Sequence, residues 1–131
     1  MRYHRIMKNF PSALLLFAHG SSDPGWAAPF VKLKAMIEVR DPTRVVALAY
    51  LERMSPSFDS AVDELRERGA TAITVAPIFL AIGGHMRKDL PSLIEAAAQR
   101  TGVVFDVLPA LGEADALLEA IAGWALVAAK R

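Results

Sequence analysis

The sequence predicts a single small α/β domain, doubly wound, with a four-stranded parallel sheet, helices on both faces and a flavodoxin-like topology. Three observations carry that expectation. Four short runs are nearly continuous in apolar residues instead of alternating, as strands buried on both faces are. Longer segments with helical spacing of apolar and charged side chains separate these runs. Glycine, serine and proline recur at the joins. A repeated β-α order implies parallel strands, because each right-handed crossover needs a helix to carry the chain back. With 131 residues, 53% of them hydrophobic, the chain suits one core, and neither a linker nor an internal repeat divides it.

Strands are expected over residues 13–18, 45–51, 72–80 and 103–108. Helices are expected over residues 26–39, 56–68 and 91–100, with an alanine-rich amphipathic surface helix over 114–129, broken in its apolar character by Asp115, Glu119 and Gly123. The second helix is the clearest. It sets Phe58, Ala61, Val62 and Leu65 on one face, with Asp59, Asp63, Glu64, Arg66 and Glu67 mostly on the other. Ser55 is a candidate cap with Pro56 in the first turn, and Gly69 is the stop. The third helix is expected to begin near Pro91 with Asp89 as a candidate cap.

Residues 1–12 are read as a flexible N-terminal extension. Their basic start and the apolar run after it faintly imitate a signal peptide. That run has only six residues, follows Pro11 and ends at His19 instead of a cleavage site. No stretch approaches the ~18 apolar residues that span a bilayer. Fifteen Lys and Arg against fourteen Asp and Glu give a net charge of +1, so nothing general favours nucleic acid or a membrane surface as partner. The absence of cysteine excludes disulfides, thiolate metal sites and a cysteine nucleophile, and it fits a reducing compartment, the cytoplasm by default.

In doubly wound sheets, ligands gather beyond the carboxyl ends of the strands where the strand order reverses. His19 ends the first run, Glu52 the second, and Gly83-Gly84-His85 lies just past the third. If strands one and three are neighbours, these groups meet on one rim. Each also has a plainer reading. Gly20 and Ser21 could aim backbone N–H groups at an anion or simply make a turn around a hydrogen-bonded His19. Glu52, at the end of a buried strand, is either a ligand or proton acceptor or a partner of Arg53. Imidazole and carboxylate together suit borderline divalent metals, and two histidines with one glutamate leave coordination positions open for substrate. Gly83 and Gly84 could turn the chain sharply and let a flat ligand approach, or merely form a loop. Asp89 could orient His85 instead of capping, and Arg87 and Lys88 either meet substrate carboxylates or lie solvated. A histidine phosphatase also opens with a strand and a histidine-glycine pair, but it needs an arginine where Ala18 stands, which argues against phosphoryl transfer.

Taken together, His19-Gly20-Ser21, then Ala49-Tyr50-Leu51-Glu52 with Pro56, and then Pro77-x-Phe79-Leu80-x-x-Gly83-x-His85-x-x-x-Asp89-Leu90-Pro91 resemble the class II tetrapyrrole chelatases. The similarity is to the short single-domain sirohydrochlorin cobaltochelatases of the CbiX type. The third motif is long and specific. The match spans residues 14–91, and Pro109-Ala110-Leu111-Gly112 resembles the family's fourth-strand exit. The resemblance implies a chelatase-like domain that inserts a divalent metal into sirohydrochlorin or a related tetrapyrrole without ATP. Co2+ is the first expectation, with Ni2+ or Fe2+ as alternatives, the metal being a substrate and no cofactor being permanently bound. It implies that His19, His85 and Glu52 hold the metal or take pyrrole protons. Gly20, Ser21, Gly83, Gly84, Arg87 and Lys88 would face the macrocycle.

One departure is Ser22, where many relatives carry a basic residue after the histidine-glycine-serine triplet. Short forms of the family pair as homodimers, so a symmetric homodimer is expected, joined either near Trp26 or through the C-terminal helix near Trp124. The rival readings are a noncatalytic tetrapyrrole or metal carrier, and a flavodoxin-like nucleotide-binding module that would leave His85 and Glu52 without a task.

Overall fold

The computed structural model describes residues 12–130, so the reading of residues 1–11 as an extension lies outside the described residues. Ser12, assigned by sequence to that extension, instead begins the first strand. Four strands, β1 (Ser12–Ala18), β2 (Val45–Tyr50), β3 (Ala72–Pro77) and β4 (Val104–Val107), form one sheet in the order β2-β1-β3-β4. All neighbours are parallel, with Leu15 level with Ala47 on one side and with Val75 on the other. The expected α/β fold is therefore present, and strands one and three are neighbours.

The helices are α1 (Ala28–Arg40), entered through a 3-10 turn at Pro24–Ala27, then α2 (Phe58–Glu67), α3 (Gly84–Thr101) and α4 (Asp115–Ala129), the last preceded by a 3-10 turn at Leu111–Glu113. The main core lies between the sheet and the pair α2 and α3. Leu15, Phe17, Ala49, Ile73 and Val75 of the strands meet Phe58, Val62 and Leu65 of α2 and Leu90 and Ala97 of α3. Phe17 anchors the layer, edge-on to Phe58 at 5.2 Å and to Phe79 at 5.9 Å between ring centroids. On the opposite side α1 packs on β2 and β1. No helix among the described residues is long and apolar enough to cross a membrane.

Several boundaries differ from expectation, each for a physical reason. The α2 cap is Ser57, whose Oγ accepts the Ser60 N–H at 3.2 Å; Pro56 stays outside the helix because its carbonyl accepts the Tyr50 N–H. Gly69 ends α2 as expected. It holds a φ of 97°, and its N–H reaches Arg66 while that of Ala70 reaches Leu65, a Schellman closure.

The third helix begins not near Pro91 but at Gly84, about two turns earlier. Pro91 leaves the Arg87 carbonyl without its usual helical donor, a cost of up to about 3 kcal/mol. Extending the helix brings Met86 onto the core beside the buried Leu90, continuing the stripe of Leu93, Ile94 and Ala97, and that burial outweighs the lost bond. Asp89 consequently lies inside the helix and caps nothing.

Strand β3 stops at Pro77, three residues short of expectation, where its last partner is Phe17 of β1, the ladder with β4 having ended at Val75; beyond it the Leu111 N–H holds the Phe79 carbonyl at 3.0 Å. Strand β4 was expected to be buried on both faces. It is an edge, with Val104 39% and Val107 41% exposed. The C-terminal helix, expected as an amphipathic surface helix, forms as α4 and buries no residue.

Candidate functional site

The strand order reverses between β1 and β3, so the carboxyl ends of β1, β2 and β3 frame the place where such a sheet receives a ligand. On the β1/β2 side the rim is held by backbone. The ladder continues past the strands, with the Leu51 N–H donating to Ala18 at 2.9 Å and the Glu52 N–H to His19 at 3.2 Å. Gly20, at a φ of +98°, lies so close that a Cβ there would stand 1.9 Å from the Glu52 carbonyl oxygen. Only glycine fits both that conformation and that approach. The consequence is that two side chains thirty-three positions apart are brought face to face: His19 Nε2 is 3.7 Å from Glu52 Oε2.

Phe79 steadies the pair from below. Its ring is buried against Phe17 and stands edge-on to the His19 imidazole, with centroids 6.0 Å apart. Arg53 Nε also approaches Glu52 Oε2, at 3.8 Å. The reading of Glu52 as a partner of Arg53 is thus met, alongside its contact with His19. Both contacts are more than half exposed, so they position the groups and add little stability. Arg53 itself adopts a φ of 67°, a left-handed conformation that a non-glycine residue takes at a cost. Ser21 Oγ accepts the Asp23 N–H at 3.0 Å, so its hydroxyl shapes the turn that leads into Pro24–Ala27. Burial pushes the Tyr50 phenol above its ordinary value, which keeps it protonated and unavailable as a base near neutral pH.

The β3 side differs. His85 occupies the first turn of α3, exposed and, among the described residues, without a hydrogen bond or ion pair. Gly83, the N-cap, has a φ of −77° that any residue adopts, so the sharp turn expected of the glycine pair is not what requires them. A Cβ at either Gly83 or Gly84 would meet open space. The two glycines relieve no contact among the described residues; what they leave is room.

Arg87, a candidate anchor for substrate, approaches Glu113 at 3.7 Å across a cavity of about 260 Å³ floored by Pro77, Ile82, Leu90 and Leu108. Lys88 makes no side-chain ion pair among the described residues. The structure thus gathers His19 with Glu52 and leaves His85 at the other side of the rim. No group of three His, Asp or Glu side chains poised to hold one ion exists among the described residues.

Sequence reasoning gave no role to Phe79 or to the Arg53 backbone. Phe79 stood in the quoted motif, and its spacing of two from Pro77, on the core-facing side of β3, was the available signal. The Arg53 conformation has no sequence signature.

A parallel α/β sheet with an imidazole-carboxylate pair at its switch point and a second imidazole at the start of α3 is a candidate site of the kind such sheets offer to small ligands. Comparison with known proteins makes this specific: the CbiX family model matches residues 13–123, and the chain belongs to that family. A CbiX protein of Marinobacter aquaeolei VT8, ascribed to cobalamin (vitamin B12) biosynthesis, is 35% identical. Its crystal structure superposes with a TM-score of 0.83 over 92% of this chain and 99% of that one. The sirohydrochlorin cobaltochelatase of Methanocaldococcus jannaschii is 37% identical over 82 residues, 63% of this chain and 57% of that protein, so the match spans little more than half of the relative's length. The sirohydrochlorin chelatase SirB of Bacillus subtilis subspecies spizizenii, solved in complex with cobalt, shares the fold at a TM-score of 0.69 with 22% identity, covering 78% of this chain and 44% of that one.

Proposed function

We propose that this domain is a metal chelatase that inserts a divalent metal, Co2+ in the first instance, into sirohydrochlorin or a related tetrapyrrole without ATP. The observation that carries the reading is the His19–Glu52 pair, held at 3.7 Å by the fit of Gly20 under the Glu52 carbonyl. Borderline divalent metals, Ni2+ and Fe2+ as well as Co2+, accept such nitrogen and oxygen donors. The metal is a substrate on this reading, and no resident cofactor is needed.

Insertion releases two pyrrole protons. A neutral imidazole accepts a proton near neutral pH, and the neighbouring carboxylate stabilises the imidazolium that forms. On this reading His19, with Glu52, holds the metal and takes up one pyrrole proton once the ion has passed to the ring, while His85 approaches the macrocycle from the far side of the rim and takes the second. Gly83 and Gly84 clear the space the flat ring occupies. Lys88, Arg53 and Arg87, the last by exchanging Glu113 for substrate, meet its carboxylates. Holding ion and ring together turns a bimolecular encounter into an effectively intramolecular one. We place the reaction in the cytoplasm, in keeping with a chain free of cysteine, and assign it to a homodimer that encloses the ring from two sides.

Purified protein mixed with sirohydrochlorin and Co2+, Ni2+ or Fe2+ should accelerate the absorbance change of metallation beyond the spontaneous rate. His19→Ala and His85→Ala should each slow it by about 100-fold with the fold intact by circular dichroism. Unchanged rates in both folded variants would overturn the site. Tight uptake of metal and tetrapyrrole without acceleration would assign a carrier instead.

A further inference from the structure

We infer that the cleft between α3 and the exits of β3 and β4 seats one carboxyalkyl arm of the substrate, Arg87 binding its carboxylate and Glu113 holding Arg87 in place until the arm arrives. The inference rests on the chelatase reading and deepens it. Its test reads binding, not metallation, so either reading can fail alone.

The cleft, of about 260 Å³, is lined by one cation and one anion, Arg87 and Glu113, and is otherwise apolar. Pro77 and Leu90 are buried behind it, while Val107 and Leu108 stand 41% and 42% exposed. Apolar walls beneath a charged pair suit a ligand whose stem is apolar and whose tip is anionic. The acetate and propionate arms of a tetrapyrrole have that form.

The two charges are held very differently. Glu113 is fixed by its turn: its Oε1 accepts the Ala110 N–H at 3.3 Å, and the Leu111 N–H bonds the Phe79 carbonyl at 3.0 Å. Gly112 is pressed so closely on the Leu80 carbonyl that a Cβ would stand 1.8 Å from its oxygen. Arg87 is fixed only at its backbone, whose N–H donates to the Gly83 carbonyl at 3.1 Å. Its guanidinium stands 3.7 Å from Glu113 Oε2, beyond hydrogen-bond length, with side chains 64% and 48% exposed. Such a pair is weak in solvent. An arriving carboxylate can take the same guanidinium with two short parallel hydrogen bonds, so the exchange favours substrate. Arg100 shows the contrast of a satisfied arginine, bonded to Asp63 at 2.6 Å and paired with Asp59 at 3.5 Å.

The place along the rim also fits. Adjacent strands lie about 4.8 Å apart, which puts a cleft between β3 and β4 roughly 7 Å from His19 at the exit of β1. That is comparable with the reach from the centre of a tetrapyrrole to its peripheral arms. An ion held at His19 and an arm seated at Arg87 can therefore serve one ring.

Titration of the full chain with metal-free sirohydrochlorin, followed by the fluorescence of the ring, gives a Kd without turnover. Arg87→Met should raise that Kd about 10-fold. Val107→Phe fills the cleft while leaving both charges in place, and it should raise the Kd by about 10-fold as well. Glu113→Gln keeps the acceptor for the Ala110 N–H and removes the charge that detains Arg87, so the Kd should fall about 3-fold. In an Arg87→Met background the same substitution should change nothing. A Kd unmoved by Arg87→Met or by Val107→Phe, in variants folded by circular dichroism, would overturn the inference even with metallation intact. A gain from Glu113→Gln that persists without Arg87 would overturn the holding role of Glu113, leaving it a simple repelling charge. The expected shifts in a protein that does not metallate would uphold the cleft and overturn the chelatase, and a chain that does not bind sirohydrochlorin would overturn both.

Discussion

The two sides of the rim are built on opposite principles. At the exits of β1 and β2, backbone hydrogen bonds, the wedge of Gly20 and the buried Phe79 ring fix where His19 and Glu52 stand. At the exit of β3, His85 and its two glycines project into open space, and nothing among the described residues holds the imidazole. On the proposed reading this division has a purpose. Donors that receive a partly desolvated ion gain from being ordered beforehand, because no ordering entropy is then lost at the encounter. A side that admits a broad, flat ring gains from clearance.

Gly20→Ala should therefore have the largest effect. The methyl group meets the Glu52 carbonyl and the backbone must leave its φ of +98°, so stability should fall by about 3 kcal/mol or more and metallation should be lost with it. Urea denaturation followed by the absorbance assay measures both. A variant of native stability would show that the β1/β2 side is not locked. Gly84→Ala provides the contrast. Its Cβ meets nothing and sits in the first turn of a helix, so stability should hold or rise by about 0.5 kcal/mol. If the space serves the macrocycle, the KM for tetrapyrrole should still rise by about 10-fold, or ~1.4 kcal/mol. Unaltered kinetics would leave Gly84 as ordinary loop.

The same contrast explains what could be read in advance. The four strands and α2 were visible because continuous apolar runs and a one-sided stripe survive any tertiary context. The meeting of His19 with Glu52 follows from the adjacency of β1 and β2, whose ladder runs on past the strand ends; strands one and three are neighbours too, yet that leaves His85 apart from the pair, with no three-residue metal group among the described residues. The start of α3 was misplaced by weighing Pro91 as a first-turn signal above the stripe of Met86, Leu90, Leu93, Ile94 and Ala97 that runs through it. Whether α4 packs on its own domain could not be read at all. An apolar stripe records that a helix must be covered and says nothing of which chain covers it.

Arg53 supplies the smallest and most local test. It lies between the two principles, since its backbone belongs to the locked side and its guanidinium, 61% exposed, reaches outward past Glu52. Its left-handed φ of 67° costs an ordinary residue roughly 1 kcal/mol, whereas the exposed ion pair returns almost nothing. Arg53→Gly should therefore leave stability unchanged or raise it by up to about 1 kcal/mol in urea, despite deleting a salt bridge. The kinetic outcome separates two roles. If the guanidinium meets a substrate carboxylate, the variant should show a raised KM that Arg53→Lys partly restores, with kcat held. If it serves only to orient Glu52, kcat should fall and KM stay.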